Sequence, residues 1–285
     1  MAWPTAYEDV IGFVLWPKEY GQRLRGHGVG DLIGTAFAPS AAVAAKAEGG
    51  ITRQARADGN AVIAVPQVAS CGSVDLTSND WPISEITSAI NLNDTQLAAL
   101  KDLKTSLNDA IAAIKSTCRD DANMAPVERV RMMQNGLWAV HDAVQLIRTP
   151  LANFYNSLTD EQKQKFALPS APQAAGRTLT RNDMARMCDL PSADGAIRQV
   201  EQSLRPTKAQ RASLEQLQKK IFEMGQFLMA SCLKPMPGTP TERLDAASDR
   251  LTAVIFAASN VNMALTDFTS QLSDEQTAKL NSLIR

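Results

Sequence analysis

The stretch Leu158-Thr159-Asp160-Glu161-Gln162 decides how this chain folds, because it marks the start of a helix and then recurs. Thr159 is a preferred N-cap residue, and Gln162, three residues later, can reach back to the N-cap amide to form a capping box. The two acidic residues between them suit the first turn of a helix dipole. The same pattern returns 114 residues later as Leu272-Ser273-Asp274-Glu275-Gln276, with Ser273 as the cap and Gln276 as its partner.

The recurrence extends far beyond this motif. A shift of 114 residues aligns the chain without a gap from Leu92 to Phe166, and it places Cys118 on Cys232 and Pro126 on Pro240. Repetition over this length indicates a duplicated domain. The predicted organisation is an aromatic N-terminal segment at 1–35, an Ala/Gly-rich linker at 36–70, a first repeat at 71–168, a linker at 169–187 and a second repeat at 188–285.

Each repeat is predicted to contain four helices, and no strand pattern is present. The third helix starts at Pro126 or Pro240, and its apolar residues alternate at spacings of three and four over eight positions, from Val130 to Phe154 and from Leu244 to Phe268. Such a pattern is typical of long antiparallel helices with coiled-coil packing. The fold class is therefore predicted to be all-α, with two tandem four-helix domains and a small helical N-terminal region.

The N-terminal region carries its own aromatic repeat. Trp3 and Tyr7, then Trp16 and Tyr20, belong to two W-P-x-x-Y segments thirteen residues apart. Proline favours the first helical position, so two short helices are expected. These aromatics either pack on the body of the protein or dock a partner, and packing is the favoured interpretation.

Composition restricts the function. The chain has 29 basic and 30 acidic residues, which gives no basic excess for nucleic acid. No apolar run reaches the roughly 18–20 residues of a membrane span, and no signal peptide precedes Trp3, although a removed signal would leave such a start. The chain has only two histidines, His27 and His141, and no nucleophile–base pair or cofactor motif, so no catalytic site, metal or cofactor is predicted.

The four cysteines occupy equivalent positions in the two repeats. In each repeat one cysteine precedes the first helix and one ends the second, which favours the pairs Cys71–Cys118 and Cys188–Cys232 and an oxidising compartment. Four buried thiols in a reducing compartment are the alternative.

Several apolar residues lie off the predicted helix seams. They either pack the repeats together, which is the favoured interpretation, or form an exposed patch that binds protein. With the aromatics of the N-terminal region, the protein-binding candidates are Trp3, Tyr7, Trp16, Tyr20, Met132, Trp138, Phe222, Phe227 and Phe256.

The paired L-T-x-x-Q segments resemble those of the LTXXQ-motif, or Spy/CpxP, family of bacterial periplasmic proteins. Leu158–Gln162 matches the motif fully, Leu272–Gln276 has Ser in place of Thr, and Leu92–Gln96 and Pro206–Gln210 match more loosely. The resemblance implies a periplasmic four-helix protomer and, as in Spy, ATP-independent chaperone activity by a cradle-shaped dimer.

The resemblance therefore predicts a non-enzymatic binding protein for unfolded clients in the envelope stress response, with the two fused repeats forming a monomeric pseudo-dimer. One alternative is an adaptor or structural subunit that docks a specific protein through the W-P-x-x-Y segments. The other alternative is a metal-responsive sensor.

Overall fold

The computed structural model describes residues 87, 90–117, 124–167, 194–232 and 239–283. Within these ranges the chain is helical and contains no strand. The helices are α1 (Asp94–Ser116), α2 (Pro126–Ser157), α3 (Asp160–Ala167), α4 (Asp194–Leu204), α5 (Lys208–Cys232), α6 (Pro240–Thr269) and α7 (Asp274–Leu283).

The helix order confirms an all-α fold in which one set of helices occurs twice. The 114-residue shift places α1 on α5, α2 on α6 and α3 on α7, while α4 is the short first helix of the second repeat. Apart from Thr87, the predicted first helix of the first repeat lies outside the described residues, as do the N-terminal region and the two linkers.

The predicted seams form the core. Every one of the eight seam positions on α2 and on α6 is buried, and Phe154 and Phe268, which occupy the same position in the two repeats, are fully enclosed. On α5 the apolar residues Leu214, Leu217, Ile221 and Leu228 are also buried.

The buried faces of α2 and α6 are wider than these seams. Met132, Gly136 and Ala143 on α2 are buried outside the seam, as are Ile255 and Ala257 on α6. The reason is that each of these helices has two long neighbours: α2 packs against α1 and α6, and α6 packs against α5 and α2.

The described long helices therefore lie in the order α1, α2, α6, α5, with the two repeats joined through α2 and α6. The contacts across this junction, such as Gln134 with Ser259 and Gln145 with Ser248, show that the two helices run antiparallel. A pseudo-twofold relation between the repeats follows, because the 114-residue shift carries each of these contacts onto the other.

One described helix, α6, is long and apolar enough to cross a membrane by length and composition alone. This evidence is weak, because a helix in the core of a folded domain passes the same test. In this structure α6 supplies core residues such as Leu251 and Val261.

The two long third helices begin differently. Thr239 caps α6 with a full capping box, in which its hydroxyl accepts from the Glu242 N–H at 3.3 Å and its own N–H donates to the Glu242 carboxylate at 3.1 Å. At the equivalent position before α2, Ala125 donates its N–H to Glu128 at 3.0 Å but has no side-chain acceptor.

We expect Ala125→Thr to complete the capping box of α2 and to raise the free energy of unfolding by about 1 kcal/mol. The backbone of Ala125 is already extended, as an N-cap requires (φ −67°, ψ 157°). Urea unfolding followed by circular dichroism measures the change. Thr239→Ala is the matched control and should lower stability by a similar amount; a destabilised Ala125→Thr protein would contradict the assignment.

Candidate functional site

The motif glutamines cap two helices in each repeat. In the first repeat, the Gln96 side chain accepts from the Asn93 N–H at 3.1 Å, and the Gln162 side chain accepts from the Thr159 N–H at 2.9 Å. The cap side chains reciprocate, because Asn93 accepts from the Gln96 N–H at 2.9 Å and Thr159 accepts from the Gln162 N–H at 3.2 Å. The capping box predicted at Thr159 is therefore formed, and a second one is formed at Asn93.

The two boxes are also joined to each other. The Gln96 Nε2 donates to Gln162 Oε1 at 2.8 Å, and the Gln162 Nε2 donates back to Gln96 Oε1 at 3.1 Å. The remaining amide hydrogens reach main-chain carbonyls, from Gln96 to Ser157 and from Gln162 to Asn91, both at 2.8 Å. This reciprocal amide pair ties the start of α1 to the start of α3 and to the end of α2.

The second repeat contains the same arrangement. Gln210 donates to Gln276 at 2.8 Å and receives a bond in return at 3.1 Å. Gln210 also donates to the carbonyl of Gln271 at 2.7 Å, and Gln276 donates to that of Leu204 at 3.1 Å. We call these two arrangements the amide clasps of the first and second repeats.

The clasp explains why glutamine is needed at these positions. The side chain at this position must accept from the N–H of the cap residue, and it must also donate two hydrogen bonds to the rest of the clasp. Only an amide side chain combines one acceptor oxygen with two donor hydrogens in this way. Gln96 is 3% exposed, so an unmatched polar atom there would be costly. The expectation that Gln162 and Gln276 serve only as helix caps was therefore incomplete. The sequence signal was present in the looser motifs at Gln96 and Gln210, which supply the partners.

A cluster of exposed aromatic residues lies on the second repeat. Phe222 is 67% exposed, Phe227 42% and Phe256 52%. The rings of Phe227 on α5 and Phe256 on α6 contact each other, with their centroids 5.3 Å apart. We call the contacting pair Phe227 and Phe256 the aromatic cluster. Phe222 precedes Phe227 by five residues, which places it on a different side of α5.

The first repeat has no such cluster at the equivalent positions. The equivalent residues are Asn108, Ala113 and Asp142, all small or polar. The scaffold therefore folds without aromatic residues at these positions, and the cluster is a property of the second repeat alone.

An open groove of about 470 Å³ lies between α5 and α6. Its walls combine small residues with polar side chains, and it adjoins the clasp of the second repeat through Gln271. Gln216 and Phe227 are eleven residues apart on α5, and Phe256 and Asp267 are eleven apart on α6. Eleven residues complete about three helical turns, so the groove and the aromatic cluster share one face of this helix pair.

The other candidates divide between surface and core. Trp138 on α2 is exposed, and its ring meets that of His141 edge-on at 5.4 Å. Met132 is only 9% exposed, which corrects its place among the surface candidates: it lies on the part of α2 that is buried outside the seam. The sequence candidates omitted two further exposed apolar residues, Leu146 and Met263, although both lie off the seams and could have been found by that criterion.

The remaining candidates lie outside the described part of the chain. These are Trp3, Tyr7, Trp16, Tyr20, Cys71, Cys118 and Cys188; for Cys232 the structure describes only its place at the end of α5. The pairing of the cysteines and the docking role of the N-terminal aromatics remain predictions.

Charged residues are also buried at equivalent places in the two repeats. Arg129 and Arg243 lie in the first turns of α2 and α6 and are almost fully enclosed. Burial lowers the pKa of the Arg243 guanidinium, and the nearby charges of Tyr155 and Glu242 act in the opposite direction.

Among the described residues, no group of three or more His, Cys, Asp or Glu side chains is placed to hold a metal ion.

The fold and the two clasps define a class of protein: a tandem pair of helical domains, each closed by paired capping-box glutamines. Comparison with known families agrees, because the family described as LTXXQ motif family protein matches twice, at residues 78–168 and 192–284. The chain belongs to this family and is a tandem duplicated member of it. No curated protein sequence and no solved structure matches the chain.

We expect Gln96→Glu to destabilise the protein by about 2–4 kcal/mol at neutral pH, because it replaces two buried donors with an acceptor and introduces a buried charge. Burial raises the folded-state pKa of such a carboxyl group, so its penalty should grow as the pH rises through the unfolded-state pKa of about 4.3 and shrink below it. Urea unfolding at pH 4 and pH 7 measures both effects.

Thr159→Ala is the control for this experiment. It removes one exposed cap bond and leaves the amide pair intact, so it should cost about 1 kcal/mol at either pH. A Gln96→Glu protein as stable as the Thr159→Ala protein would show that the clasp contributes no more than an ordinary cap.

Proposed function

We propose that this protein is a non-enzymatic periplasmic chaperone that holds non-native chains on the exposed aromatic cluster of its second repeat. The observation that carries the proposal is the contact between two exposed rings, Phe227 and Phe256. Folded proteins seldom group large exposed aromatics without an interaction that uses them.

The comparison between the repeats strengthens this interpretation. Both repeats bury their seams and form the same clasp, so the stability of the scaffold does not require the aromatic cluster. An aromatic residue offers a large contact area with few rotatable bonds, which suits binding to varied apolar segments.

The neighbouring groove supports an elongated binding surface. Gln216 and Asp267 lie about 16 Å along the helix axes from the aromatic pair, since eleven residues rise by that amount. An extended apolar segment could place side chains against the rings while its main chain meets the polar wall of the groove. The near-neutral charge of the protein agrees with apolar contacts as the main source of affinity.

Family membership supports the compartment. Proteins of the LTXXQ family typically act in the periplasm and have no catalytic site, and the Spy-like members that this chain resembles are chaperones of envelope stress. We propose the same location here, with disulfides Cys71–Cys118 and Cys188–Cys232, and a monomer in which the two repeats take the places of two subunits.

The test replaces each ring with the residue of the first repeat, as Phe222→Asn, Phe227→Ala and Phe256→Asp in one protein. We expect the concentration needed to halve the light scattering of a thermally denatured client to rise several-fold. The replaced side chains are exposed, so the helical circular dichroism should be kept and the Tm should change little.

A matched control makes the same kind of exchange elsewhere on the second repeat. Asp249→Asn and Thr266→Ala also introduce the residues of the first repeat at exposed positions, and they should leave aggregation suppression unchanged. If the triple variant suppresses aggregation as well as this control does, the aromatic cluster is not the client surface.

A truncated protein without residues 1–35 separates the chaperone proposal from the adaptor alternative. A chaperone that uses the aromatic cluster should keep its aggregation suppression after truncation. The adaptor would be favoured by two results together. The full chain would show no aggregation suppression, and the truncated protein would no longer pull down one stoichiometric partner that the full chain binds in periplasmic extract.

The cysteine pairing has a direct test. We expect the native protein, denatured without reductant in the presence of an alkylating agent, to show no alkylated thiol by intact mass, and to show four after reduction. Four modified thiols without reductant would contradict both the disulfides and the oxidising compartment.

A further inference from the structure

Several polar side-chain contacts cross the interface between α2 and α6, among them four that involve Gln134, Gln145 and Arg148 of the first repeat. Gln134 on α2 donates to the Ser259 hydroxyl at 2.8 Å, and Gln145 donates to the Ser248 hydroxyl at 2.9 Å. Asn262 donates to the Gln134 side-chain oxygen at 3.1 Å, and Arg148 forms an ion pair with Asp245.

The first two contacts are related by the internal repeat. The 114-residue shift carries Gln134 onto Ser248 and Gln145 onto Ser259, so the same pair of positions meets on both sides of the pseudo-twofold axis. At each of these two contacts a long glutamine side chain of the first repeat faces a short serine side chain of the second repeat. The two faces are thus complementary in length as well as in hydrogen bonding.

Two copies of the first repeat could not reproduce this fit. In the same geometry Gln134 would meet Gln145, so two long amides would share the space that an amide and a hydroxyl now fill. Arg148 would meet Arg131, which is the equivalent of Asp245. Two like charges would therefore stand at a place now occupied by an ion pair, and such juxtapositions oppose association.

Two copies of the second repeat would fail for the opposite reason. Ser248 would meet Ser259, and two short hydroxyls would not span the gap that the glutamines cross. Ser248 is nearly buried, so it would lose a partner without gaining access to water.

We infer that the two repeats recognise each other as complementary halves: the α2 face of the first repeat fits the α6 face of the second repeat and disfavours another copy of itself. The partner of each face is thus fixed by side-chain length and charge. This inference does not depend on client binding, and its test does not measure aggregation suppression.

The sharpest test reverses one contact in the full chain. Gln145→Ser alone places two short hydroxyls together, and Ser248→Gln alone places two long amides together. Each single variant should raise the equilibrium constant of unfolding by roughly fivefold or more. The double variant restores one long and one short side chain in exchanged positions, and it should recover most of the loss.

A second cycle uses the exposed residues Arg148 and Asp245, where substitutions should not prevent the protein from folding. Asp245→Arg places two arginines together and Arg148→Asp places two aspartates together, while the double variant restores an ion pair of reversed polarity. Each single change should lower the Tm at low salt, with recovery in the double variant and a smaller effect at 1 M salt. Glu215→Gln, at an exposed position on α5 away from these contacts, should show no coupling to Arg148→Asp.

Non-additive recovery in the charge cycle supports the inference even if Ser248→Gln does not fold. If the double variants of both cycles lose as much stability as the sum of their single variants, the contacts are independent of one another. The complementarity of the two faces would then be overturned.

Discussion

The reciprocal hydrogen bonds between two glutamine side chains are the constraint on which each repeat depends. Gln96 and Gln162, or Gln210 and Gln276, begin two helices that are far apart in sequence, and each pair holds these helix starts together. The heptad seams supply apolar burial, but apolar contacts are not directional. The clasp adds direction, because its bonds form only when the short helix α3 or α7 approaches the end of the long helix α2 or α6 in a single register.

Much of this architecture could be predicted from the sequence, and the reasons are local. Capping boxes involve residues three apart, and the seam from Val130 to Phe154 shows a helical period along the chain. What could not be predicted were the contacts between separate elements. The pairing of Gln96 with Gln162 spans 66 residues, and its geometry depends on how α1, α2 and α3 meet. The burial of Met132 likewise depends on contacts with other elements, which a pattern along one helix does not reveal.

The candidate surface shows the same division. Off-seam positions identified Phe222, Phe227 and Phe256 as unusual, but the sequence could not distinguish burial between the repeats from exposure to solvent. The structure distinguishes them because the three rings are exposed, whereas polar side chains such as Gln134 and Ser259 contact each other between α2 and α6. The repeats thus share a core and a clasp while they differ in the surface that they present.

The covalent junction between the repeats has a consequence for how such a protein can change over time. In a dimer of identical subunits, every substitution appears twice, once on each side of the symmetry axis, so a mutation that helps one side must be tolerated by the other. Fusion into one chain removes that obligation. Phe256 can face solvent while the equivalent residue of the first repeat is Asp142. Ser248 can accept a hydrogen bond from Gln145 although the two positions are not equivalent. One half of the molecule is then free to specialise while the other keeps the ancestral surface.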